Sequence, residues 1–209
     1  MSDYNYKFNS FVANHLELLK NSTILEFGVK EGRSTKVFLQ HCKKNGGKLF
    51  SIDVDNYKDK FDDANWTFIQ SRDDNFEYLE NKLPKKFDLI YLDSLHEAEH
   101  VEKIIYYYFD KLKIGGLFFI DDTSWLPYMK NAYRDNFYCE INNKETFDKM
   151  LEIYNVNFDR FDITFNFTSS GICKIFKKSE NLTKSKKITT RTLSLKNFMR
   201  KTFKFFRKK

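Results

Sequence analysis

The chain has 209 residues, 41% hydrophobic and 18% aromatic with 23 Phe, a length that predicts one domain able to build a core without disulfides or structural metal. Its net charge of +7 is uneven: from Lys177 onward 13 Lys or Arg face a single acid, Glu180, while the first 176 residues hold 23 basic and 28 acidic residues, so a mildly acidic body carries a basic tail. Cys42, Cys139 and Cys173 are odd in number and lack C-x-x-C spacing, which excludes a disulfide scaffold; MSDYNYKFNS has no signal-like apolar core and no run reaches the roughly 18 apolar residues of a span, so a cytoplasmic protein is expected.

Phe11, Val12, His15, Leu16 and Leu19 recur at helical spacing and predict a first helix over 11–20. The segment from Thr23, ILEFGVKEGRS in its body, is an apolar strand running into a glycine turn. Ser34 is expected to cap the following helix, Thr35 to Lys43. Gly28 and Gly32 permit tight turning and close approach of a ligand to backbone, although a plain strand-to-helix turn explains two glycines equally well. A dinucleotide site wants a third glycine and a loop hospitable to phosphate. Here the loop brings Glu26 and Glu31, with Asp53 and Asp55 after the next strand, and carboxylates repel phosphate while suiting a sulfonium cation and ribose hydroxyls.

The second strand, Lys48 to Ile52, ends at Asp53, about 20 to 25 residues past the first glycine, which is where ribose-binding acids sit in nucleotide folds; a solvated strand end is the alternative. Trp66 to Gln70 reads as a third strand, and Ser71-Arg72-Asp73-Asp74 as a polar loop before a short helix over 75–82. Phe87 to Asp122 then holds two apolar runs ending in Asp93 and in Asp121-Asp122, joined by a helical segment. Strands covered on both faces read as continuous apolar runs, so this is a parallel pair with a crossover helix, and Asp93, His96, Asp121 and Asp122 belong to one sheet edge. His96-Glu97-Ala98-Glu99-His100 also matches a zinc-protease pattern, but at a strand-to-helix handover and among carboxylates.

Beyond Asp122, Trp125, Tyr128, Tyr133 and Phe137 are candidates to cover the site or to close the core, and a helix is expected over 144–154. Phe161, Ile163, Phe165 and Phe167 alternate with polar residues, and Thr168 to Gly171 turns this strand into Ile172 to Lys177. Residues 178–193 read as a flexible basic linker, and residues 194–209 as a basic amphipathic helix with Leu195, Phe198, Met199, Phe203 and Phe206 on one face. That composition points to peripheral attachment at an anionic inner membrane face. Nucleic acid, a partner protein or the domain itself are the competing surfaces.

ILEFGVKEGRS, LFSIDVD, FDLIYLDSLH and IGGLFFIDD, read jointly and in this order, make the stretch from about Ser22 to Lys177 resemble the class I S-adenosylmethionine-dependent methyltransferases, with residues 1–177 as the expected domain. Within these they look like the branch of macrocin O-methyltransferase and related sugar O-methyltransferases. The resemblance implies an α/β, Rossmann-like, doubly wound seven-stranded sheet, mostly parallel with a C-terminal antiparallel hairpin. It implies S-adenosylmethionine contacts at Glu26, Gly28, Gly32, Ser34 and Asp93, ribose recognition by Asp53 and an adenine-side role near Ser71 and Asp73. It further implies a magnesium site at Asp93, Asp121 and Asp122, with Asp93 and His96 in the catalytic Asp-x-x-His element.

Chemistry agrees, since a sugar hydroxyl is a poor nucleophile until a base takes its proton or a cation binds its oxygen. Hard carboxylates suit magnesium, and an imidazole is a workable base near neutrality. The expected activity is therefore metal-assisted O-methylation of a carbohydrate or related small molecule. An RNA methyltransferase with a nucleic-acid-binding tail and a non-catalytic cofactor-binding module are the alternatives.

Overall fold

In the computed structural model, which describes residues 3–124, 137–188 and 195–206, seven strands form one sheet in the order β3-β2-β1-β4-β5-β7-β6. They are β1 (Ser22–Phe27), β2 (Gly47–Asp53), β3 (Trp66–Gln70), β4 (Phe87–Leu92), β5 (Leu112–Asp121), β6 (Phe161–Asn166) and β7 (Ile172–Lys177). The first five run parallel, β7 is antiparallel to β5, and β6 pairs antiparallel with β7. The doubly wound sheet with its terminal hairpin is thus as expected. The order reverses between β1 and β4, the place where open α/β sheets bind ligands.

Strand alternation sends successive side chains to two separate cores. In β4, Leu89 and Tyr91 join Phe8, Val12, Leu16 and Phe38 on one face, while Ile90 and Leu92 join Val101, Ile104, Tyr108 and Met150 on the other. Helices cover both faces, which is why β4 is apolar without interruption. Those helices are α3 (Arg33–Asn45), α4 (Phe76–Glu80), α5 (Ala98–Phe109) and α6 (Phe137–Asn157), with α6 packed on α5.

Helix boundaries differ from expectation in three places. The N-terminal helix starts earlier, as α1 (Asp3–Phe8), widens into a π-helical turn (Asn9–Ala13) and ends in α2 (Asn14–Leu16). Phe8, Val12 and Leu16 are its buried line, an i, i+4 row that fastens it to the sheet. Ser34 does not cap α3: Gly32, in a left-handed conformation, occupies the N-cap position, and the Ser34 hydroxyl is drawn inward to Glu26. Helix α6 is longer than the 144–154 expected, and Trp125, Tyr128 and Tyr133 lie outside the described residues.

The segment after β7, expected as a flexible linker, runs over α5 and α6 as far as it is described. Asn157, fully buried, brackets Thr183 by accepting from its amide at 2.7 Å and donating to its carbonyl at 2.8 Å, and Leu182 packs on the core. A lysine-rich stretch is thereby fastened through main-chain atoms, which charge composition does not report. Helix α7 (Leu195–Phe206) follows, with Leu195, Phe198, Met199, Phe203 and Phe206 all exposed. No helix among the described residues is long and apolar enough to cross a membrane.

Candidate active site

A cleft of about 460 Å³ opens at the C-terminal edge of the sheet, between the loop after β1 and the ends of β4 and β5. Of the residues picked from sequence, Gly28, Ser34, Asp93, His96, Asp121 and Asp122 line it, joined by Lys30, Glu31, Arg33, Ser94 and Ser170. Glu26, Gly32, Asp53, Ser71 and Asp73 are not among its lining residues. Its volume falls in the range of small-molecule and cofactor sites, roughly 300–1,000 Å³.

The floor of the cleft is the β1 loop. Gly28 has φ +91°, and a Cβ there would lie 2.0 Å from the Asp93 carbonyl oxygen, so only glycine lets the ends of β1 and β4 come this close. The Gly28 amide bonds the Ile52 carbonyl and the Asp93 amide the Phe27 carbonyl, both at 2.9 Å, which ties the three strand ends together. Asp53 Oδ2 accepts from the amides of Val29 at 2.7 Å and Lys30 at 3.3 Å, and Oδ1 accepts from the amide of Asp55 at 3.0 Å. The acid at the end of β2 therefore shapes the loop itself, using three of a carboxylate's roughly four acceptor positions.

Glu26 shares the strand parity of Ile24 and so faces α3, where it is fully buried. Its carboxylate accepts from the hydroxyls of Ser34 at 2.6 Å, Ser51 at 2.7 Å and Thr35 at 2.9 Å. Burial nonetheless pushes its pKa up to about 7, against those three hydrogen bonds and with a further push from the Asp93 charge. Asp73 is likewise turned inward: His100 Nε2 lies 2.9 Å from its Oδ2, the Ser94 hydroxyl donates to the same oxygen, and Tyr108 donates to its carbonyl at 3.1 Å. Ser71 donates to the Arg72 carbonyl at 3.0 Å. The HEAEH match dissolves here, because His100 turns to Asp73 while His96 turns to the cleft.

His96 precedes α5 and is the cleft's only imidazole among the described residues. Its Nε2 lies 3.4 Å from Asp93 Oδ1 and 3.4 Å from Asp122 Oδ2. Burial alone would lower its pKa. The hydrogen bond His96 donates to Asp93 and the charges of Asp122, Asp93 and Asp121 outweigh it and raise the value above 6.5. Asp122 has φ +57°, which carries its side chain off the β5 alternation and toward His96.

Asp121 keeps the alternation and faces the N-terminal helix. There it pairs with Lys7, fully buried, and its Oδ2 accepts from Tyr91 OH at 2.8 Å. Burial and then the Asp93 charge raise its pKa, with the Lys7 ammonium pulling the other way. Sequence reading missed Lys7 and Ser170. Parity along β5 was the available signal for Asp121, whereas a single lysine in an N-terminal segment carries none.

The residues present fit both expected groups. A glycine-bent loop and acids at the mouth suit a sulfonium nucleoside, and Asp93 with Asp122 offers hard oxygens of the kind magnesium takes one or two at a time, completing its shell with water. Among the described residues no group of three His, Cys, Asp or Glu side chains closes around a metal, in keeping with Asp121 facing Lys7.

Residues 25–123 match a family model described as a methyltransferase domain. No curated protein matches the sequence. Among solved structures, MycE methyltransferase from the mycinamycin biosynthetic pathway, in complex with Mg, SAH and mycinamycin VI, superposes with a TM-score of 0.60 at 20% identity over 82% of this chain. This chain spans about half of MycE, 49% of its length. The SAH-bound Podospora anserina methyltransferase PaMTH1 superposes with a TM-score of 0.55 at 15% identity, over 76% of this chain and 72% of its own. At these identities the likeness carries the fold, and the family match covers β1 to the end of β5. The methyltransferase-domain match over residues 25–123 and the fold shared with MycE support the resemblance to class I S-adenosylmethionine-dependent methyltransferases.

Proposed function

We propose that this chain is an S-adenosylmethionine-dependent methyltransferase acting on a hydroxyl of a carbohydrate or related small molecule, with His96 as general base and with magnesium on Asp93 and Asp122. The observation that carries this reading is the placement of His96 Nε2 at 3.4 Å from each of those carboxylates, inside the cleft and beside the Gly28 loop. The occurrence of magnesium and mycinamycin VI in the MycE complex supports it by analogy.

S-adenosylmethionine, when bound, supplies a methyl group on a sulfonium, and magnesium would supply positive charge to an acceptor oxygen. The chain's own residues do the rest. Asp53 fixes the loop Val29–Lys30 and keeps an acceptor position for a ribose hydroxyl. Asp93 and Asp122 face the Nε2–H edge of His96 and orient its ring, so that Nδ1 would be the nitrogen to take the acceptor hydroxyl's proton. Glu31 and Asp93 at the mouth favour a cationic sulfur.

Calorimetric titration of S-adenosylmethionine, with and without magnesium, tests the cofactor half of this reading. Asp53→Ala is expected to weaken binding by roughly 100-fold, because it removes charge-assisted hydrogen bonds worth about 1.5–3 kcal/mol each. Unchanged affinity would show that the β2 acid serves neither loop nor ribose.

Helix α7 supports peripheral attachment to an anionic membrane, which would bring the cleft near lipid-linked saccharides. Phe198, Phe203 and Phe206 are 68%, 74% and 68% exposed, beside exposed Lys196 and Arg200. Such a helix lies in the headgroup region with its apolar side down. The full chain is expected to float with liposomes containing phosphatidylserine, and the chain ending at residue 188 to stay in the soluble fraction. Equal soluble fractions would end the membrane reading.

A further inference from the structure

Asp121 is the carboxylate of this cluster that the chain satisfies from within. Strand alternation places it on the side of Leu117 and Phe119, under α1. The fully buried ammonium of Lys7 pairs with its Oδ1 there, and donates to Ser170 Oγ at 2.8 Å and to the Gly171 carbonyl at 3.3 Å. Tyr91 holds Oδ2 at 2.8 Å and the Asp122 amide donates to Oδ1 at 2.8 Å. A buried ammonium persists only where acceptors compensate its lost hydration, and here they converge at the end of β5 and the β6–β7 turn. The N-terminal helix has thus placed a fixed positive charge at the inner wall of the cleft, next in sequence to Asp122.

We propose that Lys7 acts as a resident cation for Asp121, leaving a divalent ion in the cleft to Asp93 and Asp122 alone and setting its affinity low. The inference rests on the reading of Asp93 and Asp122 as the metal carboxylates. Two effects act in the same direction. Lys7 occupies the third carboxylate, and its charge repels a second cation across a short, poorly hydrated distance, where screening by salt is weak. Affinity for the ion then depends on the N-terminal helix keeping its place on the sheet, through Phe8 and Val12, rather than on the cleft residues alone.

Manganese titrated calorimetrically into the full chain, without cofactor or acceptor, tests this. Lys7→Met is expected to bind the ion at least tenfold more tightly than the wild type, and Asp122→Asn to lose binding. Should Lys7→Met fail to fold with Asp121 left unpaired, Lys7→Gln keeps a hydrogen-bond donor for Asp121 without the charge, and it is expected to bind several-fold more tightly than the wild type. Wild-type affinity or weaker in the folded Lys7 variant, with binding still lost in Asp122→Asn, overturns the role of Lys7 and leaves the metal reading standing. Absence of manganese binding in every protein overturns both.

Discussion

Replacement of His96 by Gln is expected to lower kcat for methyl transfer by roughly 10²–10⁴-fold, the usual contribution of a positioned general base. The affinity for S-adenosylmethionine should stay within about twofold, because His96 meets Asp93 and Asp122 rather than the β1 loop. Gln keeps a polar end between the two carboxylates but cannot accept a proton at neutral pH. The split between a lost kcat and an intact cofactor affinity is what separates a base from a residue that merely holds the cleft open. The assay is radiolabelled methyl transfer to a panel of hydroxylated glycosides, with calorimetry of the cofactor alongside. A variant that keeps its kcat, or that loses cofactor affinity in proportion to its activity, would remove His96 from the chemistry.

The fold was legible in the sequence because both faces of the sheet are covered. Uninterrupted apolar runs such as Leu89–Leu92 and Phe118–Ile120 can be buried strands, and the acids that end them must then collect at one edge. The site was legible to that level and no further. Sequence order says that Asp121 and Asp122 are adjacent, yet backbone conformation separates their roles: Asp121 keeps the strand parity and meets Lys7, while the left-handed φ of Asp122 turns it to His96. Ser34 shows a similar limit. A hydroxyl next to a helix start usually caps it, but a buried carboxylate 2.6 Å away competes for the same hydroxyl, and Gly32 can terminate the loop without a side chain. The long-range pairs Lys7–Asp121 and Asp73–His100 depend on packing between elements far apart in the chain, which periodicity does not encode.

Removing the charge of Glu26 is expected to flatten the stability of the protein against pH. Complete burial pushes the native pKa from 4.5 to about 7, with the Asp93 charge adding to it and the hydroxyls of Ser34, Ser51 and Thr35 opposing it. The native carboxyl therefore holds its proton more tightly than the unfolded one. This contribution to stability is fully present below about pH 4.5, declines as pH rises, and is gone above about pH 7, an amount of about 3 kcal/mol at 1.36 kcal/mol per pH unit. Glu26→Gln stays neutral throughout, and its amide can donate to Ser51 or Thr35 once those hydroxyls rotate. Urea unfolding at about pH 5 and about pH 8 should then show variant and wild type close together in acid, with the variant ahead in base by up to about 3 kcal/mol. Parallel profiles would mean that the three hydroxyls keep Glu26 ionised in the native state against its burial. The same variant separates two uses of this acid at the cleft: cofactor affinity that survives Glu26→Gln assigns Glu26 to fastening α3 under the β1 loop, and affinity lost in a variant that is otherwise more stable assigns its charge to the sulfonium above.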